Sequence, residues 1–295
     1  MSNLLILLFI ATNFFQQKIP VGNITQTLQA GQTAPLFDLG QFKPKKTPVI
    51  QPEILGVHAK YLLVKELGGS VIYQKNASDA RPIASITKLM TTAVAYGLYP
   101  QEKEFTIPKE ISSIEGESGS FRIGEQVSRN DLMKAALLSS SNDAAYTLSV
   151  ESGKDVFIAR MNDLATSIGM SASHFEDATG LSSQNKSSLK DLAALSEYIF
   201  RNYPQVFEWS RQESTTIGQL RKRTLTNINY LLPSYKQYII GSKTGFTDDA
   251  GECLALVVKF KNSPYLFIGL LDSTDRFADA EKIILALREF YEKDK

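Results

Sequence analysis

Strand-like runs stand at the two ends of one long stretch of this chain, with helix-like segments between them, and no other feature of the sequence limits the fold more. Near its start, Lys60-Tyr61-Leu62-Leu63-Val64-Lys65 and Ser70-Val71-Ile72-Tyr73-Gln74 flank the pair Gly68-Gly69, the pattern of a β-hairpin. Towards the end come Tyr238-Ile239-Ile240, Cys253-Leu254-Ala255-Leu256-Val257-Val258 and Tyr265-Leu266-Phe267-Ile268-Gly269-Leu270-Leu271, the last two joined by Lys261-Asn262-Ser263-Pro264 and so expected as antiparallel neighbours. Between these groups, residues 155–168 and 189–200 place apolar side chains at near-helical spacing. A closing amphipathic helix gathers Phe277, Ala280, Ile284, Leu287 and Tyr291 on one face, suited to packing on a sheet. This order predicts an α/β domain whose antiparallel sheet is completed by the N-terminal hairpin and flanked by helices.

The 295 residues are 43% apolar and 21% charged, enough apolar material for a sizeable core and too much for a disordered chain. Thirty-two basic and thirty-one acidic residues leave a net charge of +1 with no long like-charged block, which excludes a nucleic-acid footprint. The single cysteine, Cys253, cannot form an intramolecular disulfide or a cysteine-based zinc site. With only His58 and His174 besides, no metal centre and no cofactor is expected.

Residues 1–17 begin with the apolar run Leu4-Leu5-Ile6-Leu7-Leu8-Phe9-Ile10-Ala11. It has signal-peptide length, falls short of the roughly 20 residues of a spanning helix, and lacks a preceding Lys or Arg. A cleaved signal, a short anchor and a mis-assigned start codon all fit; export to the cell envelope is the expectation, with the N-terminus as a route to membrane association. Residues 18–53 are rich in Gly, Gln, Thr, Pro and Lys without sustained periodicity and read as a tether, so the folded domain is placed at 54–295.

Three short motifs carry the chemistry. Ser85-Ile86-Thr87-Lys88 follows Pro82 and opens an apolar stretch, placing Ser85 at or near a helix N-terminus. At i and i+3 the serine and lysine share a face. A lysine whose pKa is lowered by desolvation or by neighbouring positive charge can take the serine proton, the task histidine performs in a Ser-His-Asp triad. Alone this pattern describes many capped amphipathic helices. Ser140-Ser141-Asn142 lies where two helical segments meet and puts a hydroxyl and a carboxamide on a loop, although Ser and Asn are also common helix caps. Lys243-Thr244-Gly245-Phe246-Thr247 directly follows the strand-like 238–240. Gly245, lacking a β-carbon, would let a substrate backbone approach a strand edge, and Lys243 with the threonine hydroxyls suits a carboxylate.

Taken together, these motifs occur in the order and approximate separation found in penicillin-recognising serine peptidases. With Arg81-Pro82-Ile83-Ala84, Leu89-Met90-Thr91, Met161-Asn162, Ile168-Gly169-Met170, Thr179-Gly180-Leu181 and Ala250-Gly251-Glu252-Cys253-Leu254, the chain resembles the low-molecular-mass penicillin-binding proteins of the D-alanyl-D-alanine carboxypeptidase/endopeptidase family, from about Ala59 to the last helix. The resemblance implies a β-lactamase/DD-peptidase-like fold with a helical subdomain. It implies a serine D-Ala-D-Ala carboxypeptidase acting on peptidoglycan stem peptides through an acyl-enzyme, with β-lactams as covalent inhibitors and no cofactor. It makes Ser85 the nucleophile, Lys88 its base, and Ser140 and Asn142 part of the catalytic network, Ser140 as proton shuttle. The backbone N–H groups of Ser85 and Phe246 would form the oxyanion hole. Lys243, Thr244, Gly245, Phe246, Thr247 and Arg276 would bind substrate.

The sequence departs from the family pattern at Ser141, where glycine is frequent, and it stops after the catalytic domain, as shorter endopeptidase members do. Cleavage of cross-links by a DD-endopeptidase is therefore an alternative. A non-catalytic peptidoglycan or β-lactam binding module is another, though it has little need of the complete set of motif residues. A class A β-lactamase would need an acid poised on the deacylating water, usually in a Glu-x-x-Leu-Asn segment that is missing here; Glu176-Asp177 fit the DD-peptidase loop pattern better. His58 and His174 read as structural or surface residues.

Overall fold

The computed structural model describes residues 48, 50, 51, 55–116 and 119–293. The expected leader at 1–17, nearly all of the tether at 18–53 and residue 54, where the domain was placed, lie outside the described residues.

The chain enters through β1 (Tyr61–Glu66) and β2 (Val71–Lys75), a hairpin turned at Gly68, whose φ of 69° is one that L side chains rarely adopt. After the two-residue β3 (Arg81–Pro82) a short 3₁₀ turn, Ala84–Ile86, leads into α1 (Thr87–Leu98). A small hairpin, β4 (Glu104–Thr106) with β5 (Gln126–Ser128), precedes α2 (Arg129–Leu138), α3 (Asn142–Val150) and α4 (Lys154–Ser167). Then follow β6 (Lys186–Ser187), paired with β3, and α5 (Leu189–Asn202), α6 (Pro204–Ser210), the hairpin β7 (Ser214–Ile217) and β8 (Arg223–Thr226), and α7 (Leu232–Tyr235). The chain returns to the main sheet in β9 (Ile239–Thr247), β10 (Gly251–Lys259) and β11 (Tyr265–Ser273) and ends in α8 (Arg276–Lys293).

The main sheet has the order β2-β1-β11-β10-β9, every neighbouring pair antiparallel. The N-terminal hairpin adds to β11 with Tyr61 opposite Leu271 and Glu66 opposite Leu266, so the two ends of the described region share one sheet, as the order of sequence patterns predicted. Period-two alternation divides its side chains between two cores. Leu63, Val257, Phe267 and Leu271 join the helical core built around α1, α2, α4 and α5. Leu62, Val64, Leu256, Val258, Ile268 and Leu270 meet Ala280, Ile283, Ile284, Leu287 and Tyr291 of α8 on the other face. Because both faces are covered, β10 and β11 read as nearly continuous apolar runs rather than alternating ones.

Helix α1 is buried along Thr87–Ala95 and forms the axis of the helical layer. A helix surrounded on all sides has no solvent face to oblige polar residues, which explains its apolar stretch after Lys88. The helix starts are written in side chains: Ser128, Ser141 and Ser188 accept from the backbone N–H groups of Asp131, Ala144 and Asp191. Ser141, where the resemblance leads one to expect glycine, thus caps α3.

One boundary differs from the expectation. Lys243-Thr244-Gly245-Phe246-Thr247 forms the second half of β9 rather than following it. Gly245 pairs with Cys253 and Thr244 with Leu254, so cross-strand hydrogen bonding to β10 extends the strand beyond its apolar run. Among the described residues no helix is long and apolar enough to cross a membrane.

Candidate active site

Ser85 is carried on the 3₁₀ turn just before α1, and Lys88 lies one turn further on. Ala84, immediately before the serine, has a φ of 47°, an uncommon conformation for a residue with a β-carbon. Lys88 is fully buried; its Nζ donates to Ser85 Oγ at 2.7 Å, to Asn142 Oδ1 at 2.8 Å and to the Thr179 carbonyl at 2.6 Å. Asn142, the first residue of α3, donates through Nδ2 to the Glu115 carbonyl at 2.8 Å, which fixes the carboxamide with its oxygen towards Lys88.

Ser140 lies in the bend between α2 and α3 with a φ of 57°, and its Oγ accepts from Lys243 Nζ at 2.9 Å. Lys243 is 1% exposed and also donates to the Thr244 carbonyl at 2.9 Å. The structure therefore brings all three sequence motifs to one place: Lys88 is hydrogen-bonded to Ser85, and Lys243 to Ser140, which lines the same cavity as Ser85.

Gly245 has a role besides the one expected of it. A β-carbon there would lie 2.9 Å from the Ile83 carbonyl oxygen and 3.1 Å from the Ser85 nitrogen, so its absence lets the turn that carries Ser85 close onto β9. β9 is an edge strand of the sheet, and its outer side is free of any partner strand among the described residues.

A cavity of about 350 Å³ opens here, lined by Ser85, Ser140, Ile228, Thr244, Gly245, Phe246, Glu252 and Arg276. Arg276, the first residue of α8, donates through its guanidinium Nη1 to the Gly245 carbonyl at 2.8 Å, and its backbone N–H donates to Glu252 Oε2 at 2.8 Å. Phe246 is 58% exposed at the rim. Lys88, Asn142 and Lys243 stand behind this lining. Thr247 is not part of it: its Oγ1 accepts from Ala250 N at 3.2 Å in the turn that leads to β10.

Sequence reasoning passed over Ile228 and Glu252 as cavity walls and Thr179 as a direct partner of Lys88. Thr179 acts through a main-chain carbonyl, which leaves no side-chain signature. Asp177 was weighed only as an acid. Its carboxylate accepts from the backbone N–H groups of Thr179, Gly180 and Ser182 at 2.6, 2.6 and 2.7 Å and from Thr179 Oγ1 at 2.8 Å. Burial by itself would raise this carboxyl, but those hydrogen bonds outweigh it and hold it below the ordinary carboxylate range. The neighbouring Glu176 accepts from Ser182 Oγ, so both acids are engaged within their own loop. Asp143, next to Asn142, is displaced the other way: burial raises its carboxyl, and a hydrogen bond from the Gly119 backbone offsets part of the effect. Both histidines are exposed and outside the cavity: His174 sits in a backbone bridge to Lys186, and the His58 ring lies beside the buried Asp279.

A family model described as D-alanyl-D-alanine carboxypeptidase matches residues 46–270. The chain is 34% identical over 251 residues to a D-alanyl-D-alanine endopeptidase of Pseudomonas aeruginosa, covering 81% of this chain and 79% of that one. It is 32% identical to a D-alanyl-D-alanine endopeptidase of Escherichia coli, covering 80% and 78%. Among solved structures, penicillin-binding protein D2 from Listeria monocytogenes in its ampicillin-bound form superposes with a TM-score of 0.69 at 30% identity, covering 77% of this chain and 96% of that one.

Proposed function

The chain belongs to the D-alanyl-D-alanine carboxypeptidase family of serine DD-peptidases, whose members are cell-envelope penicillin-binding proteins, and from that premise we propose that Ser85 is its acylated nucleophile and Lys88 the base that activates it. The observation that carries the assignment is the 2.7 Å contact between Lys88 Nζ and Ser85 Oγ at the wall of the cavity. In its neutral form the amine accepts the hydroxyl proton across that contact, and Oγ attacks the carbonyl between two D-alanines. The backbone N–H groups of Ser85 and Phe246 stabilise the oxyanion. Ser140, hydrogen-bonded to Lys243, relays to the departing amine the proton that Lys88 took from Ser85, so that both lysines end the step as they began it, and Asn142 holds Lys88 in register. Thr244 and Arg276 receive the substrate carboxylate, with Lys243 supplying positive charge behind them. Thr247 serves this end indirectly, by shaping the turn after β9. Water then releases the acyl group, and a β-lactam that acylates Ser85 blocks the cycle.

The substrates are peptidoglycan stem peptides. Trimming of the terminal D-alanine is the first reading. Cleavage of cross-links is the second, favoured by endopeptidase relatives above 30% identity, those of Pseudomonas aeruginosa and Escherichia coli among them. The engagement of Asp177 and Glu176 within their own loop disfavours a β-lactamase-like deacylating acid there. The same proposal assigns the catalytic domain to residues 54–295, a tether to 18–53 and an exporting signal or short anchor to 1–17, through which the protein can associate with the membrane.

Product analysis by mass spectrometry tests the reading. Pentapeptide monomers and DD-cross-linked dimers are incubated with the wild-type protein and with Ser85→Ala. Loss of a terminal D-alanine from monomers, abolished in the variant, supports the carboxypeptidase; conversion of dimers to monomers supports the endopeptidase. Penicillin labelling that survives in Ser85→Ala removes the nucleophile assignment.

A further inference from the structure

We propose that Asp177 is a positioning residue for the reaction: it fixes the Thr179 carbonyl, which in turn aims the Lys88 amine at Ser85. The inference rests on the roles assigned above to Ser85 and Lys88.

A neutral amine has two N–H donors and one lone pair. The Thr179 carbonyl and Asn142 Oδ1 can only accept, so at 2.6 and 2.8 Å from Lys88 Nζ they take N–H groups. With those two N–H groups engaged, the lone pair can face the Ser85 hydroxyl at 2.7 Å. Where the Thr179 carbonyl stands therefore decides whether the lone pair meets the proton it must remove. Asn142 is anchored by α3 and by the Glu115 carbonyl, but Thr179 belongs to neither helix nor strand.

What holds that irregular segment is the Asp177 carboxylate, with three backbone N–H groups and one hydroxyl converging on its two oxygens. The residue type matters. A carboxylate offers about four lone-pair sites on two oxygens and no donor. A carboxamide would set its own NH2 against a backbone N–H at one end of the cluster. Beneath, the fully buried Asn185 braces the loop, accepting from the N–H groups of Glu176 and Asp177 at 2.6 and 3.1 Å and donating to the Asp177 carbonyl at 3.1 Å. Thr91, one turn beyond Lys88 on α1, donates to the Ala178 carbonyl at 2.6 Å.

The turn also touches the nucleophile's own backbone. A β-carbon on Gly180 would stand 2.1 Å from the Ala84 carbonyl oxygen and 3.0 Å from the Ser85 nitrogen. One carboxylate thus sets a single loop against the base and against the peptide that carries the hydroxyl. It does so without contacting substrate.

The test uses Asp177→Asn in the full chain, with stopped-flow acylation by a fluorescent penicillin and titration of the final label. The acylation rate constant at saturating penicillin is expected to fall about 30- to 100-fold, the range for a catalytic group misplaced by about 1 Å. The half-saturating concentration stays unchanged and labelling still reaches one per chain. An unchanged rate constant overturns the proposal, and so does a reduced stoichiometry at the wild-type rate, which reports only a misfolded fraction. If Asp177→Asn does not fold, Thr179→Val decides: it removes the hydroxyl's hydrogen bond to Asp177, together with the longer one it accepts from Leu181 N, and keeps the carbonyl, so a few-fold fall in the same constant supports the role and no fall refutes it. Failure of the underlying assignment is seen separately, as label that persists in Ser85→Ala.

Discussion

Gly180→Ala separates backbone strain from displacement of the peptide that carries Ser85, the proposed nucleophile, because the fold contains a matched control. Gly180 and Gly169 have φ of +86° and +80°, but a β-carbon on Gly180 would meet the Ala84 carbonyl at 2.1 Å whereas one on Gly169 would find nothing within 4 Å. Placing a side chain at such a φ costs about 1–2 kcal/mol in either case. Ordinary contact begins at 3.4 Å, so Gly180→Ala must also open a gap of 3.4 − 2.1 = 1.3 Å against backbone, which adds about 1–3 kcal/mol by analogy with overpacked cores. For a domain of this size each kcal/mol lowers Tm by about 2–4 °C, giving about 2–8 °C for Gly169→Ala and about 4–20 °C for Gly180→Ala. The functional contrast is sharper. The atom struck belongs to the residue before Ser85, and a displacement of about 1 Å there slows acylation by about 100-fold. Gly169, at the end of α4, lies away from the site, and its variant acylates at the wild-type rate. Calorimetry and penicillin-acylation kinetics on the two variants provide the comparison. Equal acylation rates would refute the claim that this loop bears on the nucleophile.

The depressed Asp177 carboxyl has a consequence for stability. A group whose folded pKa lies below its unfolded value, about 3.9 for Asp, contributes stability above that value and loses it as pH falls through the folded one. The difference in unfolding free energy between wild type and Asp177→Asn is therefore full near neutral pH and shrinks below about pH 4; urea titrations giving a constant difference across that range would contradict it. Cys253 is fully buried, and burial pushes its thiol up to about 12, so it is protonated and sheltered at pH 8. An aromatic disulfide reagent should react with it only after guanidinium unfolding, and prompt reaction with the native protein would show that β10 opens readily.

Much of the fold was legible because local patterns agreed with the tertiary result. Gly68-Gly69 between two β-rich runs became the β1–β2 hairpin, and the apolar face of residues 277–291 became the contact of α8 with the sheet. The hairpin of β7 and β8 escaped notice, since Ser214-Thr215-Thr216-Ile217 and Arg223-Thr224-Leu225-Thr226 are short, polar and mostly outside the core. The second half of β9 escaped for a related reason: pairing with β10, not hydrophobicity, makes Lys243–Thr247 a strand.

By itself the sequence determined which chemical groups are available: one serine three residues before a lysine, a hydroxyl and carboxamide at a helix start, a second lysine before a glycine. A spacing of three residues, across the 3₁₀ turn and the start of α1, was enough to put Ser85 and Lys88 side by side, because helical periodicity is local. Only the tertiary structure brought Asn142 to Lys88 across 54 residues and Lys243 to Ser140 across 103. It alone chose the Thr179 carbonyl as the further acceptor of the lysine and the Asp177 carboxylate as the clamp that holds it. Every residue possesses a carbonyl and every non-proline an N–H, so nothing in a residue's identity marks the one that will matter; that is decided by which main-chain groups folding leaves beside the buried amine.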